Sequence, residues 1–289
     1  MDKIRIITDT SSDLSVEDAE RYDIELLPVI FQIDGKPCYE GIDFTSEEFY
    51  DRMPEHETIT AVHIPAAVYL DRFEKAHRHG YTDVIAVTAG SVFMTTWQAA
   101  DRARSLFFEQ HPDAPLKIHV IDSKTYSIAF GMAVLQAAQK ANEGATCTEL
   151  LAFLEDWFAH IELYITSFSM RYVPVNGAFE LMRSIAIEIT RAFPIIRVAQ
   201  GKMEPLEGTY GVQQTFTKFV EYCREAIFAT RAPYAITYAK REAEAKEAAE
   251  TLEAALGYPP ELVCRMGAST VYGNGRAAVA VVFRGAGQD

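Results

Sequence analysis

Apolar and polar positions follow two rhythms along this chain, and the rhythms sort it into strands and helices. The run Ile4-Arg5-Ile6-Ile7-Thr8 reads as a buried strand that stops abruptly at Asp9-Thr10-Ser11-Ser12-Asp13, after which Ser15 opens a short helix to Tyr22. Ile24 to Phe31 reads as a second strand. It continues through the turn signal Asp34-Gly35 to Lys36-Pro37-Cys38-Tyr39, a hairpin at a sheet edge where Pro28 and Pro37 are tolerable. Thr45 and Glu48 have capping-box spacing, which places Phe49, Tyr50 and Met53 on a short helix stopped by Pro54. Val68, Tyr69, Phe73 and Ala76 recur at helical spacing between Pro65 and His79, and Gly80 ends that helix.

The opening strand-turn-helix unit then recurs twice. Val84 to Thr88 is a strand followed by Ala89-Gly90-Ser91 and a helix from Thr95 to Glu109; Ile118 to Ile121 is a strand ending in Asp122-Ser123, before a helix from Ile128 to Asn142. Three strands thus end in acids or hydroxyls, and in a parallel sheet those ends share one rim, where open α/β sheets receive ligands. Gly144 breaks the pattern. Thr146 and Glu149 form another capping box, opening a helix to Ala159, and the domain boundary is placed just after it: 1–160 as an N-terminal α/β domain and 161–289 as a C-terminal one. The second lobe reads as mixed, with a strand from Glu162 to Phe168, a loop over Val173 to Gly177, an apolar helix from Phe179 to Ala192 and two strands joined at Gly201. A helix from Val212 to Thr230, a strand from Tyr234 to Tyr238, a helix ending at Leu256 and strands at 261–266 and 279–283 complete it. At 289 residues the chain lies where single cores give way to two.

Composition narrows the function classes. No apolar run approaches the ~20 residues of a membrane span, and the first residues lead straight into a strand without a secretory signal pattern, so a cytoplasmic protein is expected. A net charge of −14 disfavours nucleic acid and anionic membrane as partners, since phosphate binding needs a basic face. Cys38, Cys147, Cys223 and Cys264 are scattered without a zinc-type spacing, and His77 and His79 read as the cationic last turn of a helix, so no metal site is expected. A monomer is the default.

The chemistry of Asp9 is open on residues alone. An aspartyl-phosphate mechanism, as in haloacid-dehalogenase-type hydrolases, would use Asp9 as nucleophile, but the acid pair there is two residues apart and Asp9 and Asp13 are four apart. The other account has Asp9 and its hydroxyl neighbours satisfying backbone donors in a tight turn. There is no Gly-x-x-x-x-Gly-Lys loop, Gly273-Asn274-Gly275 is too short to signal a dinucleotide site, and neither Ser91 nor Ser123 sits in a Gly-x-Ser-x-Gly elbow.

Three stretches in order, Ile7-Thr8-Asp9-Thr10-Ser11-Ser12-Asp13-Leu14, Gly41-Ile42-Asp43-Phe44-Thr45-Ser46-Glu47-Glu48-Phe49-Tyr50 and Val120-Ile121-Asp122-Ser123, resemble the DegV family, and the likeness extends more weakly to Gly273-Asn274-Gly275. The resemblance implies a two-domain α/β fold, with a largely parallel N-terminal sheet flanked by helices and a mixed second domain. It implies one long-chain fatty acid (C14 to C18, for example palmitate) held in a tunnel between the domains. It implies no catalytic residue and no cofactor; the chain would be a carrier presenting the acyl carboxylate to a separate ATP-dependent fatty acid kinase.

Head-group positions depart from the family pattern. Thr-Ser-Gln-Pro-Ser-Pro becomes Thr60-Ala61-Val62-His63-Ile64-Pro65, and Leu-Ser-Gly-Thr-Tyr-Gln becomes Phe93-Met94-Thr95-Thr96-Trp97-Gln98, with Met94 in place of the serine that meets the carboxylate. Val271 stands where a histidine is usual, and Asn176-Gly177-Ala178 lacks the arginine of Gly-Gly-Arg. Burial of about 14 methylenes is worth on the order of 11 kcal/mol, against roughly 1–3 kcal/mol for each head-group hydrogen bond, so the tail dominates affinity and binding is expected to survive. Candidate head-group donors are Thr60, His63, Ser91, Thr95 and Thr96; candidate tunnel residues are Phe168, Met170, Phe193, Ile195 and Ile196. Two other readings remain: a small-molecule hydrolase or phosphatase using Asp9, and a binder of another apolar acid or lipid.

Overall fold

Strand β1 (Ile4–Asp9) lies inside a four-stranded parallel sheet of order β2-β1-β6-β7, with β2 at Ile24–Leu27, β6 at Asp83–Thr88 and β7 at Lys117–Asp122. The computed structural model describes residues 2–52, 58–169, 192–227 and 231–285. All of β6 is buried, as expected for a parallel strand covered on both faces. Helices α3 (Ala66–Arg78) and α4 (Thr96–Gln110) contribute Tyr69, Phe73, Ala100, Ala103 and Phe107 to a core shared with Ile7, Val84 and Ala86 of the sheet. Helix α5 (Ile128–Asn142) packs on β1 and β6, and α6 (Cys147–His160) donates Trp157 Nε1–H to the Ala129 carbonyl at 3.2 Å. The Thr146–Glu149 capping box forms in both directions, with Thr146 N–H to Glu149 at 2.7 Å and Glu149 N–H to Thr146 Oγ1 at 3.3 Å.

From β1 the chain passes through α1 (Val16–Arg21) to β2 on one side, and it later returns to β6 on the other. The strand order therefore reverses between β1 and β6, and the crevice beyond their carboxyl ends is the switch point of the sheet. The expected strand Ile24 to Phe31 is two strands. Pro28, which cannot donate to a ladder, separates β2 from β3 (Ile30–Ile33), and β3 joins a small antiparallel sheet with β4 (Lys36–Tyr39) and β5 (Ile59–Val62). Asp34 and Gly35 both have positive φ, 49° and 79°, as a two-residue hairpin turn demands.

By contact density the chain divides into two units, one of Met1–Thr45 and His56–Phe158, the other of Ser46–Glu55 and Ala159–Asp289. Helix α2 (Ser46–Arg52) thus clusters with the later residues rather than with its sequence neighbours. Tyr50 donates its hydroxyl to the Met266 carbonyl, Asp51 pairs with Lys240, and Glu47 lies 3.3 Å from Arg265. The second unit holds a six-stranded sheet of order β10-β9-β8-β13-β11-β12. Its strands are β8 (Ile161–Ser167), β9 (Phe193–Ala199), β10 (Lys202–Thr209), β11 (Tyr234–Tyr238), β12 (Leu262–Arg265) and β13 (Ala278–Arg284), antiparallel except for β11 with β12. Helices α7 (Val212–Ile227) and α8 (Glu242–Leu256) cover an aromatic core of Tyr164, Phe168, Phe216, Phe219 and Phe283. A short helix α9 (Ala268–Asn274) was not foreseen. The loop and helix expected over Val173 to Ala192 lie, up to residue 191, outside the described residues.

Candidate functional site

The carboxyl ends of β1, β6 and β7 form one rim, and the rim is polar and buried. Thr8, Asp9, Ser11, Ser12, Thr88, Ser123, Thr125 and Ser127 are all buried there. Asp9 caps a single 3-10 turn, Thr10–Ser12, its Oδ1 accepting from the Ser11 N–H at 3.0 Å and from the Ser11 hydroxyl. Asp13 follows at φ 55°, the left-handed region that Asp tolerates, and accepts from the Ser127 hydroxyl. Thr10 Oγ1 receives the Val29 N–H at 2.9 Å and donates to Glu40 at 2.8 Å. Close approach holds the turn in place: a Cβ on Gly131 of α5 would fall 2.2 Å from the Ser12 carbonyl oxygen. Beyond β6, Gly90 N–H reaches the Thr125 carbonyl at 2.7 Å, and a Cβ there would meet the Lys124 backbone at 2.9 Å.

Asp9 has no exposed surface, and burial pushes its carboxyl up to about 6 although the Ser11 bonds pull it down; the charge of Glu40 adds to the rise. Its Oδ1 is committed to the turn. A buried carboxyl so engaged suits a framework role better than nucleophilic attack.

Several polar atoms of the first unit are buried without a hydrogen-bond partner: Asp9 Oδ2, His63 Nδ1, Tyr69 OH, Thr96 Oγ1 and Thr125 Oγ1. Arg72 Nε shares that condition but is 3.1 Å from the Glu25 carboxylate. An orphaned buried polar atom costs roughly 1–3 kcal/mol, so each marks a place that a water or a polar ligand would satisfy. Their positions in the fold agree. Asp9 ends β1, Thr125 follows β7, and Thr96 begins α4. His63 follows β5, and Tyr69 is in the first turns of α3, whose far end leads into β6. The Tyr69 phenol is held protonated by burial and by the charge of Asp9, and burial keeps His63 neutral, so both are uncharged at neutral pH.

The sequence-proposed head-group residues fall into two groups. His63 and Thr96 are among the orphans. Ser91 is not: its hydroxyl donates to Asp122 Oδ2 at 2.6 Å and its N–H to Oδ1 at 3.0 Å, which spends its proton on tying the β6 and β7 ends together. Thr60 is exposed on β5 opposite Gln32, and Thr95 is exposed at the start of α4 with no side-chain cap bond. Tyr69, also an orphan, was not among the residues proposed from sequence because it occupies an apolar-stripe position of α3. The available signal was a tyrosine on that stripe, since a buried phenol needs a partner.

Among the tunnel candidates, Phe168 packs edge-on against Phe193 and Phe216, with centroids 5.0 and 6.2 Å apart, and Ile195 belongs to the same cluster. Ile196, its neighbour on β9, faces the other side of the sheet, because side chains alternate along a strand. Ile195 and Ile196 therefore cannot line one surface. Met170 lies outside the described residues.

Comparison with known proteins adds a family and a fold. The profile described as "Uncharacterised protein, DegV family" matches residues 3–285. A DegV domain-containing protein of Caldanaerobacter subterraneus is 28% identical over 224 residues, 78% of each chain. Two solved structures share the fold: a stearic acid-binding protein from Eubacterium ventriosum, 21% identical with a TM-score of 0.85 over 98% of both chains, and a DegV family protein from Thermus thermophilus described by its fatty acid binding, 18% identical with a TM-score of 0.85 over 98% of this chain and 99% of that one.

Proposed function

The chain belongs to the DegV family, and from that premise we propose that it binds one long-chain fatty acid, with the carboxylate received at the rim of the parallel sheet. The observation that carries this reading is the set of buried donors without partners, Thr96 Oγ1, Tyr69 OH and Thr125 Oγ1, with His63 beside them in sequence to α3. Hydroxyl donors suit a carboxylate, and each net hydrogen bond to a charged group is worth roughly 1.5–3 kcal/mol. In this account Tyr69, with Thr96, takes over from the serine that Met94 replaces. The acyl chain, at roughly 0.8 kcal/mol per methylene, supplies most of the affinity. The printed descriptions of the Eubacterium and Thermus proteins, which name stearic acid and fatty acid, support the ligand class.

The chain acts as a carrier with no catalytic residue of its own, presenting the carboxylate to a separate ATP-dependent kinase. Its four cysteines form no disulfide. Delipidated protein titrated with palmitate and with hexadecanol, which has the tail but no carboxylate, tests the head-group assignment. Tyr69→Phe and Thr96→Val are each expected to weaken palmitate roughly 5- to 30-fold, about 1–2 kcal/mol, and to leave hexadecanol unchanged. Equal effects on both ligands, or none on palmitate, would refute the assignment. Acyl phosphate formation on adding ATP and a bacterial fatty acid kinase subunit to the loaded carrier tests the transfer role, and its absence would refute that role.

A further inference from the structure

Toward the amino-terminal ends of the strands, away from the rim, three residue types that bind transition metals converge from three elements. Asp83 is the first residue of β6, His119 is the third of β7, and Cys147 is the first of α6. Their ligand atoms all lie within 4.8 Å of one another, with His119 Nε2 3.3 Å from Asp83 Oδ1. We propose that Asp83, His119 and Cys147 form a binding site for a zinc-class divalent ion that ties β6, β7 and α6 together.

Geometry and charge both favour such an ion. Zinc takes Cys, His and carboxylate ligands at about 2.0–2.3 Å in a tetrahedron, which sets neighbouring ligand atoms roughly 3.3–3.8 Å apart. The His119–Asp83 spacing already has that value, and the widest spacing needs to close by about an ångström. A thiolate, a carboxylate and a neutral imidazole balance two positive charges. Binding releases the Cys147 thiol proton to solvent as the sulfur–metal bond forms, and His119 presents Nε2 by carrying its proton on Nδ1. Without metal the thiol stays protonated, pushed up to about 12 first by burial and then by Asp83. Its start-of-helix position favours the thiolate once an ion draws the proton off.

The surroundings allow entry and selection. The Asp83 side chain is 5% exposed and that of His119 26%, so the imidazole edge is the route to solvent. Asp2, which accepts the Cys147 N–H at 3.1 Å, adds a carboxylate next to the site, while the Lys117 ammonium acts against a cation. One thiolate and one imidazole select zinc or cobalt over the oxygen-seeking magnesium and calcium. The sequence carried no Cys/His spacing signal because the ligands are 36 and 28 positions apart and meet only through parallel pairing of β6 with β7 and the docking of α6.

Titration of chelator-treated full-length protein with cobalt(II) tests the site. The expected result is one equivalent bound, with a thiolate-to-cobalt charge-transfer band and tetrahedral ligand-field bands that zinc abolishes, together with a raised melting temperature in zinc. Cys147→Ser should remove the charge-transfer band, and His119→Gln, at the accessible edge, should lower affinity on the order of 100-fold while preserving the fold. Cys38→Ser, outside the cluster, should change neither. No charge-transfer band, a band that survives Cys147→Ser, or metal uptake indifferent to His119→Gln would overturn the proposal. The fatty acid site is on the other rim, so lipid binding reports on neither outcome.

Discussion

Burial changes the chemistry of Asp9 and Tyr69. The carboxyl of Asp9 passes from its usual 3.8 to about 6 in the folded chain. Folding therefore retains a proton that the unfolded chain releases. The stability tied to this group is complete below pH 4 and is lost as pH rises through 6, by about 3 kcal/mol. Asp9→Asn keeps the acceptor for Ser11 N–H and removes the titration. Its stability relative to the parent should rise by that order between pH 4 and 7, read from paired denaturant curves; a difference that does not vary with pH would contradict the burial account. Depressed carboxylates such as Asp83 cancel in that comparison. Tyr69→Phe should have two opposite effects. Removal of an orphaned phenol raises the melting temperature of lipid-free protein, worth about 1 kcal/mol, while palmitate affinity falls. Loss of stability without loss of affinity would make Tyr69 a core residue only. At this scale the sequence pointed to His63 and Thr96 through the family motifs. For Tyr69 its one signal was a tyrosine on an apolar stripe, because an orphaned hydroxyl is a property of packing rather than of spacing.

Elements were legible where a local signal decided them. The helices read from 65–79, 95–109 and 128–142 appear as α3, α4 and α5, and both flanks of Gly201 are the hairpin β9–β10. Gly257 ends α8 at φ 82° with its N–H on the Glu253 carbonyl, as a C-terminal glycine should. Where long-range pairing decides, the pattern ran out. The stretch 24–31 is a single apolar run in sequence, yet Pro28 divides it between two sheets, and β5 has only four residues and earns its strand geometry from β3. Helix α2 was legible as a helix but not as part of the second unit, because Tyr50, Asp51 and Glu47 find partners some 190 to 220 positions away. Gly131 is the element-scale test of the Asp9 turn. Gly131→Ala brings a Cβ against the Ser12 carbonyl, and despite the helix-propensity gain of about 1 kcal/mol a net loss of about 2 kcal/mol is expected in the thermal transition. A neutral or stabilising result would mean that α5 does not hold the turn.

For the whole molecule, the three repeated strand-turn-helix units foretold a parallel sheet, and the polar ends of β1, β6 and β7 do fall on one rim. The reversal of strand order between β1 and β6 then singles out the crevice beside Asp9, a consequence of topology that no stretch of sequence contains. Among the described residues no helix is long and apolar enough to cross a membrane. The central claim is a stoichiometric long-chain fatty acid, and mass spectrometry of an organic extract of freshly purified protein tests it most directly. The account predicts one equivalent of a C14 to C18 acid per chain, reduced in Tyr69→Phe/Thr96→Val; protein that is ligand-free and takes up no added palmitate would contradict it.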